Sequence, residues 1–150
     1  MVVACKKGWA LGCVQLLIIL FLLIPTSTTR GDMKQEIIER CRKQMGEYGS
    51  AMVKACVDQD IEAASALSKY PAEAKDIIAR CARQMGEYGW SMVKACADQD
   101  IEAASALSKY PAEAKDIIAR CARQMGEYGW AMVKACADQD IEAEKALESY

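Results

Sequence analysis

Three tandem copies of one 40-residue unit fill residues 31–150. The second copy (71–110) and the third (111–150) are identical at 35 of 40 positions, and the first (31–70) matches the second at 28 of 40. A fixed period near 40 is typical of stacked-repeat proteins, in which no unit buries its apolar face alone. The sequence therefore predicts one domain built from three stacked units.

The first thirty residues have a different character. Two lysines precede an apolar run (14–24), and a polar stretch of small residues (25–30) follows. This is the order of a secretory signal, so we predict a signal peptide over residues 1–30 and an exported protein. An uncleaved anchor is the alternative, because counting from Trp9 lengthens the apolar stretch toward the roughly 20 residues that span a bilayer. Only a retained anchor would give the chain a membrane partner.

Six cysteines follow this segment, two in each copy. An even number of cysteines behind an export signal favours disulfides in an oxidising compartment, here the periplasm or the extracellular side of a bacterial envelope. Pairing within each copy uses all six in the same way, whereas pairing between copies would leave Cys41 and Cys136 without partners. The favoured bridges are Cys41–Cys56, Cys81–Cys96 and Cys121–Cys136.

Within the second copy, apolar residues recur at spacings of three and four on both sides of a glycine-bracketed turn (86–89). This pattern predicts an all-α hairpin with helices over 72–86 and 90–109, and three such hairpins would stack as a short α-solenoid. The cysteines then lie opposite each other across the turn. Asp100 is a candidate cap that would divide the second helix. The alternative is one continuous helix, which would separate the two cysteines by about 22 Å.

Differences between the copies indicate the stacking direction. At one face of the first copy, charged residues replace alanines, and at the other face of the third copy they replace alanine and serines. Polar replacements at opposite ends of the array are what solenoid capping requires. The replacements are Lys34, Glu39 and Arg42 for Ala74, Ala79 and Ala82, and Glu144, Lys145 and Glu148 for Ala104, Ser105 and Ser108.

Two segments resemble known proteins. Residues 99–111, with an acidic opening, an alanine-leucine face and a closing proline, resemble the end of a tetratricopeptide unit, and the hairpin pattern resembles Sel1-like arrays. The recurring string Cys-Ala-Arg-Gln-Met-Gly-Glu-Tyr-Gly-Trp, followed by Met-Val-Lys-Ala-Cys, resembles small exported uncharacterised bacterial proteins. The first resemblance implies stacked helical hairpins, and the second implies no particular activity.

Each copy also contains a symmetrical set of sulfur atoms, Cys-x3-Met before the turn and Met-x3-Cys after it. Thiolate and thioether sulfurs are soft donors that suit Cu(I), so copper binding is an alternative function if the thiols are free. A buried disulfide flanked by methionines that fill the core is the favoured interpretation. The sulfur residues are Cys41, Met45, Met52 and Cys56; Cys81, Met85, Met92 and Cys96; and Cys121, Met125, Met132 and Cys136.

Aromatic residues around the turns are candidate contacts for a peptide or protein partner. These residues are Tyr48, Tyr88, Tyr128, Trp90 and Trp130. Packing between repeats is the competing interpretation for the tryptophans, because Ser50 takes their place in the first copy. The Asp98–Asp100 segments lack the further oxygen ligands of a calcium loop. We expect the charged groups near Arg80 and Arg83 to be solvated.

Composition narrows the function. The chain has no histidine, and residues 31–150 carry 16 Lys plus Arg against 21 Asp plus Glu. Such a balance gives no electrostatic reason to bind nucleic acid, and no serine has a histidine partner for nucleophilic catalysis. The sequence predicts no cofactor and no enzyme. It favours an exported scaffold or adaptor that binds a protein or peptide, with copper handling or a purely structural repeat module as alternatives.

Overall fold

A computed structural model describes residues 30–150, so the predicted signal peptide lies outside the described residues except for Arg30. Residues 34–150 form one compact unit. The described chain contains no β-strand. Its six α-helices form three pairs: α1 (Arg30–Met45) with α2 (Ser50–Leu67), α3 (Lys75–Met85) with α4 (Trp90–Leu107), and α5 (Lys115–Met125) with α6 (Trp130–Leu147).

Each pair is a hairpin, which confirms the predicted fold and shows that the continuous helix is wrong. In the second repeat, α3 ends at Met85, a 3₁₀ turn follows over Gly86–Tyr88, and α4 begins after Gly89. Gly89 has a φ of +115°, a region that L-residues other than glycine rarely occupy. The glycine is therefore required for the chain to reverse direction.

The predicted disulfides are confirmed, and each one closes its own hairpin. The bridges join Cys41 to Cys56, Cys81 to Cys96 and Cys121 to Cys136, with Cα–Cα distances of 5.8, 5.8 and 5.7 Å. The first cysteine of each pair is completely buried. In each of the last two repeats it packs with the same valine and alanine of the second helix. The cross-link is thus part of the hydrophobic core of each repeat.

Two details of the helix prediction need correction. A 3₁₀ turn (Ala72–Ala74) precedes α3, which begins at Lys75 and not at residue 72. The second helix continues through Asp98–Asp100 without a break. Asp100 does not cap its own helix, because its carboxylate is engaged with other parts of the chain.

The second helices form the spine of the stack. Helix α2 packs against α4, and α4 packs against α6. Leu67, at the end of α2, joins the apolar core of the second hairpin, and Leu107 joins the core of the third. Their counterpart Leu147 is 69% exposed, since no described repeat lies against it. The second and third repeats therefore each complete their core with a leucine from the repeat before, in the stacking direction that the sequence predicted.

The disulfide of the middle repeat is expected to stabilise the fold measurably. Replacing Cys81 and Cys96 together by serine reopens a loop of about 15 residues, which lowers the free energy of unfolding by about 3 kcal/mol. Urea denaturation of the oxidised protein, followed by circular dichroism, measures this loss. An unchanged midpoint would show that the bridge does not staple the hairpin. Non-reducing peptide mapping checks that the other two bridges remain intact.

Candidate functional site

A buried carboxylate connects each repeat to the next. Asp100, on α4, is only 3% exposed and forms an ion pair with Arg80 of α3 in the same hairpin. Its Oδ1 atom accepts a hydrogen bond of 2.9 Å from the main-chain N–H of Ala131, in the following repeat. We call this arrangement the inter-repeat joint. The same joint forms one repeat earlier, from Arg40, Asp60 and the N–H of Ser91.

The joint satisfies a helix end that has no cap of its own. Helix α6 follows Gly129, which has no side chain to accept the free N–H groups of the first turn. Asp100 supplies the missing acceptor and places a negative charge at the positive end of the helix. Arg80 adds a 3.2 Å hydrogen bond from Nη1 to the carbonyl of Tyr128. Burial lowers the pKa of Arg80.

Glycine is required at the joint for its size as well as for its φ. A Cβ atom on Gly129 would collide with Arg80 Nη1 and would lie 2.7 Å from an Asp100 carboxylate oxygen. A Cβ on Gly89 would collide with Asp60 in the same way. Gly49 also has a positive φ, but it has open space around it. The first repeat has no preceding aspartate to approach it.

The sequence interpretation of these charged residues was wrong. Arg80 was expected to be solvated, yet its side chain is 14% exposed and pairs with Asp100. The sequence did contain a pattern that could have predicted the joint, because the arginine, aspartate and glycine recur at the same three positions in every copy. In the third repeat, where no described repeat follows, Arg120 and Asp140 still pair at 2.8 Å but are 46% and 37% exposed.

A second polar contact joins the segment between two repeats to the second helix of the following repeat. The Tyr70 hydroxyl donates a hydrogen bond to Asp98, which also pairs with Lys94 at 2.6 Å. Burial by itself would raise the pKa of Asp98, but the hydrogen bonds from Lys94 and Tyr70 outweigh it and hold the pKa below its ordinary value. The hydrogen bond to Asp98 raises the pKa of Tyr70. Tyr110, Asp138 and Lys134 repeat this contact in the next unit.

The structure separates the aromatic candidates into two groups. Tyr48, Tyr88 and Tyr128 are 65%, 57% and 58% exposed on the hairpin turns. Trp90 is half-buried and packs against the core of the second hairpin. Trp130 is 40% exposed. The tyrosines therefore remain the stronger candidates for contact with a partner.

Methionines extend this exposed surface. Met52, Met92 and Met132 lie four residues after the turn tyrosines, in the first turn of each second helix, and are nearly half exposed. We call these six residues (Tyr48, Met52, Tyr88, Met92, Tyr128 and Met132) the tyrosine–methionine ridge. The first helix of one repeat contacts the turn of the next, through hydrogen bonds from Gln44 to the Glu87 carbonyl and from Gln84 to the Glu127 carbonyl. Successive turns therefore follow one another along the stack.

The sulfur set predicted for copper has a different arrangement. All six cysteines of residues 31–150 are bonded in disulfides, and Met45, Met85 and Met125 are half-buried. The sulfurs of Cys121 and Cys136 lie with an Asp140 oxygen within 4.8 Å of one another. Those sulfurs are bonded to each other and are not thiolates, the form of cysteine that binds metals. Copper binding therefore stays a prediction for the reduced protein only.

Shallow grooves run beside the second helices, at the end away from the turns. The groove of the second repeat has a volume of about 570 Å³ and that of the third about 540 Å³. A half-buried isoleucine lines both, Ile101 in the second repeat and Ile141 in the third. An equivalent groove of about 440 Å³ lies along α2 in the first repeat.

No protein family, curated protein or solved structure matches this chain. Three intramolecular disulfides indicate an oxidising environment outside the cytoplasm. Among the helices of residues 30–150, none combines the length and apolar character needed to cross a bilayer.

The joint provides a matched pair of variants. Asp100→Ala leaves Arg80 buried without its counter-ion and removes the acceptor for α6, so we expect the free energy of unfolding to fall by about 3–5 kcal/mol. Asp140→Ala breaks the equivalent but exposed pair in the third repeat, with an expected loss of about 1 kcal/mol or less. Urea denaturation of both variants gives the comparison, and equal losses would contradict a structural role for the joint.

The glycines provide a second matched pair. Gly49→Ala introduces a side chain at positive φ in open space and should lower the free energy of unfolding by about 1–3 kcal/mol. Gly129→Ala carries the same backbone strain and also displaces Arg80 and Asp100. We expect it to lose about 3 kcal/mol more, in line with breaking a buried ion pair. Thermal melts of the two oxidised variants measure the difference. If the two fell by the same amount, close approach at the joint would not be the reason for glycine.

Proposed function

We propose that the protein is an exported, non-catalytic scaffold that binds a protein or peptide partner in the periplasm or outside the cell. The observation that carries this proposal is the tyrosine–methionine ridge, which presents the same exposed pair of side chains once in every repeat. Large side chains exposed at corresponding positions do not contribute to the core. Their apolar surface is unfavourable in water, and a bound partner would bury it.

The chemistry of the ridge suits protein recognition. Tyrosine offers a large rigid ring and a hydroxyl, and both tyrosine and methionine are enriched in protein interfaces. Methionine adapts its flexible thioether chain to different partner surfaces. Lys54, Lys94 and Lys134 follow the methionines by two positions and pair with aspartates on the same helix. These lysines are thus paired within the chain, and the exposed rings and thioether groups are left for a partner.

Repetition supports a scaffold in preference to a single binding site. Three equivalent sites on one stack can engage a long partner at several points, so that weak contacts combine into useful affinity. The disulfides within each hairpin keep those sites in place in an oxidising compartment. The lack of histidine and of any nucleophile–base pair in the sequence favours a binding role over catalysis.

Replacing Tyr48, Tyr88 and Tyr128 together by serine tests the proposal. Because the three side chains are exposed, the free energy of unfolding should change by less than about 1 kcal/mol, whereas capture of a partner from the native envelope fraction should be lost. The readout is a discrete protein that co-purifies with the wild-type chain and is identified by mass spectrometry.

A control triple variant carries Lys34→Ser, Lys75→Ser and Lys115→Ser, three exposed positions away from the turns and from the three grooves, and should retain the same partner. The proposal fails if the tyrosine variant retains the partner or if both variants lose it. A large fall in the free energy of unfolding of the tyrosine variant would instead show that these rings stabilise the fold.

A further inference from the structure

The groove of the third repeat has an apolar floor that can hold a side chain. It lies between the start of the repeat and the C-terminal half of α6 and is an open groove with a volume of about 540 Å³. Tyr110, Pro111, Ile117 and Ile141 line it, and Ile117 is buried. The corresponding floors of the other repeats are also apolar, so the floor alone does not distinguish this groove.

The rim does distinguish it. Five carboxylates and two lysines line the third groove, and two of the carboxylates, Glu144 and Glu148, replace an alanine and a serine of the second repeat. One of the five, Asp138, is already paired with Lys134 and Tyr110. The other four take part in no ion pair among those found in residues 30–150. These four are Glu113, Glu142, Glu144 and Glu148.

Sequence divergence is concentrated at the same place. The second and third copies differ at five positions, and four of these lie together near the end of the second helix. Three of the four residues in the third copy, Glu144, Lys145 and Glu148, line the groove. The remaining copies keep alanine and serine there. The change therefore converts one of three similar grooves into an acidic one and leaves the rest of the repeat almost unchanged.

We propose that the third-repeat groove binds a cationic peptide segment in which an arginine or lysine lies next to an apolar residue. The isoleucine floor takes the apolar side chain and the aliphatic stem of the basic one. The rim carboxylates form charge-assisted hydrogen bonds to the guanidinium or ammonium group. This site is separate from the tyrosine–methionine ridge and would stand if the ridge had no partner.

The charge pattern selects this occupant over a metal ion. A hard cation needs six or more oxygen ligands converging at about 2.3–2.6 Å, or an octahedron at about 2.1 Å. The rim carboxylates instead come from the beginning of the repeat, from three positions along α6 and from the residue that follows it, around an open groove. Carboxylates distributed in this way along a groove suit several positive charges along a peptide better than one small metal ion.

The test uses the oxidised, exported protein and a fluorescent, terminally blocked peptide Gly-Leu-Arg-Leu-Arg-Gly, followed by fluorescence anisotropy. Glu144→Gln with Glu148→Gln removes two rim charges and should weaken binding at least about ten-fold. The matched control, Glu87→Gln with Glu127→Gln, removes the same charge from the hairpin turns. It should change affinity by less than about two-fold.

Every other outcome overturns the proposal. Equal weakening by both double variants would show general attraction to an acidic protein. Equal binding of the peptide Gly-Leu-Gln-Leu-Gln-Gly would show an apolar contact without charge recognition, and displacement by equimolar spermidine would show a site for any polycation. Absence of binding to the wild-type protein would also refute it. The tyrosine-to-serine variant should bind the peptide normally, which separates this test from that of the proposed scaffold function.

Discussion

The stack depends on a carboxylate that has been removed from water. A buried aspartate is unfavourable unless its charge is compensated and its oxygens are bonded. Asp60 and Asp100 meet this condition by facing an arginine of their own hairpin and a free N–H of the next one. The apolar cores require only that neighbouring repeats touch. The directional bonds to the carboxylate also fix where along the helix they touch.

This arrangement makes each repeat incomplete alone. A second helix that begins after a bare glycine lacks an acceptor until the preceding repeat supplies one, and its core lacks a leucine from the same source. Each repeat therefore supplies both a polar group, the aspartate acceptor, and an apolar group, the leucine, to the repeat that follows it. The first and third repeats show the consequence, since Gly49 has open space around it and Leu147 is exposed.

The features predicted from the sequence are local ones. Glycines that bracket a turn and cysteines equidistant from it define a hairpin within about 16 residues, and both were predicted correctly. The joint was missed because its partners are distant, with Asp100 accepting from a residue 31 positions later. Charged side chains on a helix are usually exposed to solvent, and this general tendency favoured the wrong interpretation of Arg80. The acidic groove was missed for a related reason, because charged replacements near the end of the array were interpreted only as capping.

The two proposed surfaces lie at different ends of the second helices. The ridge is repeated without change, whereas the acidic groove belongs to one repeat only. The repeated ridge provides several equivalent contacts, and the single acidic groove provides one contact that fixes the position of the partner. Together they would let a long partner bind in a single register along the three repeats.

The placement of the disulfides also determines how the chain responds to tension. A force applied to the two ends passes through each sulfur–sulfur bond and bypasses the 15 residue steps between the paired cysteines. An unfolded repeat can then extend only through its other 25 or so residues, about 85 Å. The turn and the beginning of the second helix stay mechanically shielded. The tyrosines of the ridge lie within that shielded loop, so tension between the two ends of the chain would not unravel the turns that carry them.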